Sequence, residues 1–330
     1  MYSAILLAGY DNKRKVERYR NVVQTVYGEE FIETGYKPMR EFTVVKNGVR
    51  VSQPLIQYTL EALVADPLIE EIVIVGFIKQ IRDRLSAYLD GVDKPVVYVD
   101  QRDEIPERIK TEFSIHPRRT DKESIGGNFI KGYAASKAYA SRREALFVAS
   151  DSPLTTADFI NRFIDAAMPL IESSAIVMPS IFIDPVKDDL GRRPLLLIND
   201  SGYPIHAKKD KYGRNGFRLS SLLLCNPFRI NVNAINVIYS VRKALNPRVQ
   251  MKIQKICKGL GYPGIVNSYF VKHSLSVVQC EAICSAFLEG TFKSMPMPDA
   301  ETSYDFDGTR REYEEIKKML GDTLKTGEKG

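Results

Sequence analysis

The sequence lacks any apolar run approaching the ~20 residues that a helix needs to cross a bilayer, so we expect no membrane-spanning segment. We also expect no signal peptide, because the first expected strand begins almost at Met1. No zinc-finger, RNA-recognition or helix-turn-helix pattern is present, so we expect no nucleic-acid partner. Together these absences favour a cytoplasmic protein.

Histidine and cysteine are scarce as well. The three histidines are scattered without the spacing of metal ligands, so none is assigned to metal binding or to catalysis. The four cysteines lack the CxxC pairs of zinc sites, and we interpret them as core thiols in a reducing compartment. They are Cys225, Cys257, Cys280 and Cys284.

The first half of the chain alternates short apolar runs, which predict buried strands, with segments of helical period. The predicted strands are Tyr2–Ala8, Ile72–Gly76, Pro95–Val99, Ala145–Ala149 and Ala175–Ile183. The predicted helices are Pro54–Val64, Lys79–Leu89, Asn128–Ser141 and Ala157–Met168. This alternation is typical of a Rossmann-like α/β fold with a doubly wound, mostly parallel sheet.

The pattern changes after Asp184. The segments expected there are a hairpin of Leu195–Asn199 with Tyr203–Ala207, a strand Phe217–Leu224, helices at Val232–Leu245, Arg248–Gly259 and Ser276–Leu288, extended chain at Phe292–Met297 and Ala300–Phe306, and a charged helix Thr309–Leu320. We therefore predict a core of residues 1–183 and 291–320, a mainly helical insertion of residues 184–290, and a flexible tail of residues 321–330.

The apolar run Ala145–Ala149 stops at Asp151, and Pro153 prevents it from continuing as a central strand. A carboxylate at the carboxyl end of a buried strand lies where open α/β sheets place their ligands. The sequence from Thr155 to Asp158 has the form of a capping box for the next helix. From these residues alone, Asp151 is either a ligand-binding residue or a turn residue.

Four segments, in order, resemble the nucleotidyltransferases of the glycosyltransferase-A-like superfamily, whose fold is of the nucleotide-diphospho-sugar transferase type. They are Ala4-Ile5-Leu6-Leu7-Ala8-Gly9; Lys37-Pro38-Met39 with Pro54-Leu55-Ile56; Val148-Ala149-Ser150-Asp151-Ser152-Pro153-Leu154; and Asp305-Phe306-Asp307-Gly308-Thr309. The likeness favours the branch related to the molybdenum-cofactor guanylyl- and cytidylyltransferases and the sugar-phosphate uridylyltransferases. The sequence departs from the family at Asp11 and Lys13, where a second Gly and an Arg are usual, and at Thr309-Arg310-Arg311, where Pro-Glu-Asp is usual.

The resemblance implies Mg²⁺-dependent transfer of a nucleotidyl group from an NTP to an anionic small-molecule acceptor, with release of pyrophosphate. Such chemistry needs oriented oxyanions and charge neutralisation at the phosphoryl groups. Lys37 is the expected catalytic cation, with Lys13 and Arg14 near the loop. Mg²⁺ would bind Asp151 and Asp307, with Asp305 as the rival of Asp307. The expected nucleotide-binding residues are Leu7, Ala8, Gly9, Gly127 and Asn128.

Alternatives stay open for Asn128 and for the function of the whole chain. Asn128 suits a helix N-cap as well as it suits a base or sugar contact. The chain itself could be a nucleotide- or sugar-nucleotide-binding protein without catalysis, or a glycosyltransferase on the same fold. Glycosyltransferases of this fold favour an Asp-x-Asp motif, whereas here Pro153 stands where the second Asp would be.

Positive charge is concentrated between Tyr203 and His273. This segment holds thirteen Lys and Arg residues against one acid, a net charge of +12, whereas the rest of the chain has a net charge of −6. Such a local excess indicates an anionic partner. The segment could select a phosphorylated acceptor, lie on an anionic membrane, or pack on the core with its lysines outward.

We predict that reversing Lys252, Lys255 and Lys258 to Glu weakens use of the acceptor and leaves NTP binding intact. The same effect should follow added salt, because partly exposed charges are screened over ~8–10 Å. Steady-state kinetics with both substrates varied tests this. Equal loss of affinity for NTP and acceptor would contradict the prediction, and sedimentation with anionic liposomes would instead favour the membrane alternative.

Overall fold

The computed structural model describes residues 1–9, 36–46, 49–116, 120, 122–183, 216–242, 251, 254–255, 257–259, 261–264, 275–298, 304–306 and 308–326. The strands in these ranges are β1 (Tyr2–Ala8), β2 (Glu41–Lys46), β3 (Val49–Pro54), β4 (Ile69–Gly76), β5 (Val96–Asp100), β6 (Ala145–Ala149), β7 (Ile176–Ile183), β8 (Gly216–Leu219), β9 (Leu222–Cys225) and β10 (Phe292–Met297). The helices are α1 (Leu55–Ala65), α2 (Ile78–Leu89), α3 (Glu107–Glu112), α4 (Ile125–Ala134), α5 (Lys137–Ala140), α6 (Ala157–Ile171), α7 (Asn233–Arg242), α8 (Val277–Leu288) and α9 (Arg310–Thr326).

A central sheet has the order β10-β7-β9-β6-β1-β4-β5, and β8 pairs with β7. β1 is parallel to both β4 and β6, β4 is parallel to β5, and β7 is parallel to β10. β9 is antiparallel to its neighbours β6 and β7, and β8 is antiparallel to β7. The prediction of an α/β fold with a mostly parallel sheet is confirmed.

β1 shows why the apolar runs read as buried strands. Successive side chains of a strand point to opposite faces of the sheet, and both faces of β1 are covered. Leu6 packs into a core that includes Ile56 of α1 and Phe163 of α6, whereas Ile5 packs on the other face with Ile130 of α4. Each buried side chain of this size contributes about 1.5–3 kcal/mol relative to an exposed one.

Several predicted elements have different bounds. The helix expected at Asn128–Ser141 is two helices, α4 and α5, and α4 begins three residues earlier than expected. The strand expected at Phe217–Leu224 is divided into β8 and β9. Ser220 and Ser221 separate the two, and the Ser220 nitrogen donates to the carbonyl of Pro179. The hairpin β2–β3 and the short α3 were not predicted.

The expected insertion of residues 184–290 contributes to the central sheet. β9 lies between β6 and β7, so this part of the segment belongs to the central sheet. The predicted hairpin at residues 195–207 lies outside the described residues, as does half of the helix predicted at residues 248–259. The cysteines are free thiols, three of them buried, as predicted. Among the described helices, none combines the length and apolar character required to span a bilayer.

Gly132 allows α4 to lie directly on the sheet. A Cβ atom built on Gly132 would lie 2.6 Å from Ile5 Cγ2 and 2.7 Å from Val75 Cγ2, closer than real Cβ contacts. Gly321 in α9 has nothing within 4 Å of such an atom. Substitutions at these two helical glycines therefore distinguish the effect of core packing on stability from the effect of helix propensity.

Gly132→Ala should destabilise the fold by roughly 1–3 kcal/mol through overpacking of the core. Gly321→Ala should stabilise it by about 0.5–1 kcal/mol because alanine is the better helix former. Urea unfolding of both variants measures the difference. Stabilisation by Gly132→Ala would show that α4 does not pack this closely on β1 and β4.

Candidate active site

The carboxyl end of β1 forms one wall of the candidate site. Leu7 is half-buried, Ala8 is buried and Gly9 is exposed. A Cβ atom built on Gly9 would lie 2.6 Å from the Asn128 Nδ2 atom, so a larger residue at this position would displace the Asn128 amide. Gly9, which follows β1 and is one of the residues predicted to bind nucleotide, therefore lies beside Asn128, at the carboxyl end of the strand, where ligands bind in open α/β folds.

Tyr36 links the end of β1 to the end of the neighbouring strand β4. Its hydroxyl donates to the carbonyl oxygen of Ala8 and accepts from the Phe77 backbone nitrogen at 3.2 Å. Burial raises the pKa of the Tyr36 hydroxyl, which therefore remains a neutral donor. A Cβ atom on Gly76 would lie 2.5 Å from the hydroxyl oxygen, so Gly76 makes room for the ring. Because Tyr36 immediately precedes Lys37, this contact places the lysine at the sheet edge.

The amino end of α4 lies on the other side of Gly9. Ser124 is the N-cap, and its Oγ accepts from the Gly127 nitrogen at 3.0 Å. The Oδ1 atom of Asn236 accepts from the Gly126 nitrogen at 2.8 Å. The alternative that Asn128 is the N-cap is wrong, because Ser124 takes that role. Gly127 is one of the expected nucleotide-binding residues, and its backbone nitrogen is already hydrogen-bonded to Ser124.

Asn128 itself is buried, with 4% of its surface exposed. Its Oδ1 atom has no hydrogen-bond partner in the described part of the chain. An unpaired buried acceptor costs about 1–3 kcal/mol, and a donor on a bound molecule would remove that cost. Asn128 therefore stays a candidate for ligand contact through its side chain.

Lys37 and Asp151 meet where β6 ends. The Lys37 Nζ atom lies 3.1 Å from Asp151 Oδ2 and 2.9 Å from the carbonyl oxygen of Phe306. The Phe306 nitrogen donates to the carbonyl of Asp151 at 2.9 Å. The two charged side chains are 30% and 27% exposed, so the pair is open to solvent on one side. Three segments that are distant in sequence are thus joined at one point.

Asp305 lies beside this junction and is held by two hydroxyl groups. Its Oδ1 atom accepts from Ser152 Oγ at 2.9 Å and from Ser221 Oγ at 2.6 Å. Ser152 follows Asp151, and Ser221 lies in the turn between β8 and β9. The contact shows that Asp305 belongs to the same sheet edge as Asp151.

The chain after Asp305 is fixed by a turn and a helix cap. Gly308 has a φ of 105°, a conformation that favours glycine. Thr309 and Glu312 form reciprocal hydrogen bonds, with Thr309 Oγ1 accepting from the Glu312 nitrogen at 3.2 Å and Glu312 Oε2 accepting from the Thr309 nitrogen at 3.1 Å. This is a capping box at the start of α9.

The N-cap of α6 lies one residue later than the predicted capping box places it. Thr156, not Thr155, is the N-cap residue.

Lys13, Arg14 and Asp307 lie outside the described residues, so their expected roles stay predictions. Sequence reasoning missed Tyr36 and Ser152, although each adjoins a residue that was singled out. It also missed Ser221, for which the sequence carries no signal, because the contact with Asp305 spans 84 residues.

The donor set at the sheet edge fits a hard divalent cation. Asp151 and Asp305 offer carboxylate oxygens, which Mg²⁺ prefers. Within the described ranges, no group of three or more carboxylate, histidine or cysteine side chains comes together to hold a metal alone. A bound Mg²⁺ would therefore complete its coordination with water and with oxygens of a substrate, as is usual for this ion.

Solved structures are similar to this chain. A CMP:2-keto-3-deoxy-manno-octonic acid synthetase in complex with CTP is similar over 98% of this chain and 100% of that chain, with a TM-score of 0.50 and 8% identity. A hypothetical transferase from Thermus thermophilus gives a TM-score of 0.48 at 16% identity, over 93% of this chain and 96% of its own. A 4-diphosphocytidyl-2C-methyl-D-erythritol synthase from Anaerococcus prevotii gives 0.40 at 10% identity, over 96% and 97%.

The first of these likenesses shows that the chain has the nucleotide-diphospho-sugar transferase fold. No protein-family model matches the sequence, and no curated protein matches it. The likeness therefore establishes the architecture and leaves activity to be inferred from the site.

Proposed function

We propose that this protein is a nucleotidyltransferase that moves an NMP group from an NTP to an anionic, phosphorylated small molecule and releases pyrophosphate. The observation that supports this most is the convergence of Gly9, Asn128, Lys37, Asp151 and Asp305 at one edge of the sheet. Nucleotidyl transfer needs groups that bind the nucleotide, which Gly9 and Asn128 could supply. It also needs a cation and carboxylates near the phosphates, which Lys37, Asp151 and Asp305 could supply. The synthetase of similar fold was solved in complex with CTP, and a nucleotide substrate agrees with the proposal.

In this proposal, Gly9 and Asn128 form the nucleotide subsite. The absence of a side chain on Gly9 lets the Asn128 amide lie against the end of β1, and Asn128 Oδ1 accepts a hydrogen bond from a nucleobase or ribose donor. Leu7 and Ala8 support the end of β1, and Gly127 lies in the first turn of α4 beside Asn128.

Lys37 supplies the mobile positive charge. Its ammonium group lies on Asp151 and on the Phe306 carbonyl, and the side chains of Lys37 and Asp151 are partly exposed. A triphosphate at this edge competes with Asp151 for the ammonium, which then neutralises charge on the α-phosphoryl group as pyrophosphate leaves. Lys13 and Arg14 remain proposed helpers on the preceding loop.

Mg²⁺ is the proposed cofactor, with Asp151 as one ligand and Asp307 or Asp305 as the other. When bound, it would supply Lewis-acid charge to the phosphate oxygens. The hydrogen bonds from Ser152 and Ser221 orient the Asp305 carboxylate.

The acceptor is proposed to bind the basic segment of residues 203–273. The sequence motifs favour the branch related to the molybdenum-cofactor nucleotidyltransferases.

Incubation with each of the four NTPs, Mg²⁺ and a panel of phosphorylated acceptors, with pyrophosphate as the readout, tests the proposal. CTP is the first NTP to examine. We expect pyrophosphate with one NTP only when an acceptor is present. Binding of an NTP without turnover for any acceptor would instead favour a nucleotide-binding protein without catalysis.

Asp151→Asn should retain the fold but lower turnover at least ~100-fold, because a neutral amide is a poor ligand for a hard dication. The stability cost should stay within about 1 kcal/mol, since the pair with Lys37 is partly solvent-exposed. Rates at saturating substrates and thermal unfolding measure the two effects. Asp305→Asn and Asp307→Asn then show which of these is the second ligand. Near-normal turnover by Asp151→Asn would remove Asp151 from the site.

Lys37→Ala should lower kcat more than it raises the KM for the nucleotide, because the ammonium acts mainly on charge that develops in the transition state. Lys94→Ala is the matched control. Lys94 is also half-buried and donates to backbone carbonyls, at 3.2 Å from Leu63 O, but it lies outside the site. It should lose stability and keep its kcat. A raised KM with unchanged kcat in Lys37→Ala would place Lys37 in ground-state phosphate binding instead.

A further inference from the structure

Lys131 is a buried cation that no expected role uses. It lies in α4 with 4% of its surface exposed. Its Nζ atom donates to three backbone carbonyls in the turn after β5, at 2.6 Å from Gln101, 3.1 Å from Asp103 and 3.3 Å from Asp100. An ammonium group has three donors and no acceptor, so this arrangement uses all of its hydrogen-bonding capacity.

The turn that Lys131 holds reaches the candidate nucleotide subsite. Gln101 is 1% exposed, and its Oε1 atom would lie 3.3 Å from a Cβ atom on Gly9. The Gln101 nitrogen donates to the carbonyl of Gly76 at 2.9 Å, so the turn begins at the sheet edge. Asn128 and Lys131 are three residues apart and share one face of α4. The helix therefore presents the Asn128 amide and the Lys131 ammonium group on the same side.

We propose that Lys131 is a positioning residue for the nucleotide subsite, whose ammonium group holds the turn of residues 100–103 so that Gln101 closes the wall beside Gly9 and Asn128. This inference rests on the proposed function for its ligand. Lys131 does not touch the reacting atoms in this arrangement. It acts through the three carbonyls and the side chain of Gln101.

The protonation state of Lys131 makes this role dependent on pH. Burial lowers the pKa of Lys131 to about 8, and the nearby carboxylates of Asp103, Asp100 and Glu123 oppose the shift only in part, while Lys122 adds to it. A neutral amine has only two N–H donors and would turn a lone pair toward a carbonyl oxygen. Nucleotide affinity should therefore fall as the pH rises through about 8.

Stability should respond in the opposite direction. The unfolded chain keeps the proton on this lysine up to the ordinary value of 10.5, whereas the folded chain releases it near 8. In that window the unfolded state binds more protons, so the contribution of Lys131 to stability rises with pH. Deprotonation of Lys131 therefore does not destabilise the fold, and a loss of nucleotide affinity above pH 8 could not be explained by unfolding that it causes.

The test measures the KM for the NTP that the wild type uses, from about pH 7 to about pH 9.5 on either side of the Lys131 pKa. In the wild type we expect a rise of roughly 5- to 10-fold, as for loss of about one hydrogen-bonded contact. Lys131→Met and Gln101→Ala should both show the raised KM at every pH, because one lacks the ammonium and the other lacks the side chain that it positions. Lys137→Met, on the neighbouring helix and half-exposed, should follow the wild type.

A flat wild-type profile, or a normal KM in Gln101→Ala, would overturn the proposal even if Lys131→Met fails to fold. If no NTP binds the wild type, the proposed function is wrong. Hydrogen exchange at the Gln101 amide of the ligand-free protein then judges the role of Lys131 in the turn. Protection should fall in Lys131→Met and not in Lys137→Met, and equal protection in both would contradict it.

Discussion

The Lys37 ammonium group joins parts of the chain that lie far apart in sequence. Its contact with Asp151 spans 114 residues and its contact with Phe306 spans 269. The first of these partners ends a central strand, and the second belongs to the segment that leads into the last helix. Because the Phe306 nitrogen also donates to the Asp151 carbonyl, the lysine binds a junction that the backbone already forms. The positions of Asp151 and Asp305 at the sheet edge depend on this junction.

The rest of the site is arranged around it by neutral groups. The Tyr36 hydroxyl fixes the end of β1, and the hydroxyls of Ser152 and Ser221 hold Asp305. Neutral donors orient a carboxylate without cancelling its charge. The Lys37 ammonium group, by contrast, is partly exposed and lies where a phosphate could bind it. In the proposed function, the Lys37 ammonium group leaves the Asp151 carboxylate and binds a phosphate of the nucleotide. Nucleotide binding would thereby free Asp151 to bind the metal.

The sequence predicted those features that depend on local pattern. The run Ala145–Ala149 ending before Asp151 specified a strand end and its carboxylate, because burial on both faces requires a continuous apolar run. It could not specify that β9 inserts antiparallel beside that strand, since pairing partners leave no mark in a short apolar segment. The predicted helix begins at Asn128, three residues after the observed start of α4, because Gly126 and Gly127 are poor helix formers. Ser124 and the distant Asn236 instead satisfy their nitrogens, and only the tertiary structure reveals the second contact.

Hydrogen exchange of the whole protein, with and without a Mg²⁺–NTP complex, tests most directly whether these segments form one nucleotide site. We expect added protection together in the peptides that contain Gly9, Lys37, Asn128 and Asp151, with the 304–309 segment included. Protection should require the NTP and be absent with Mg²⁺ alone. Protection confined to other surfaces, or none with any of the four NTPs, would contradict the assignment of this sheet edge as the site.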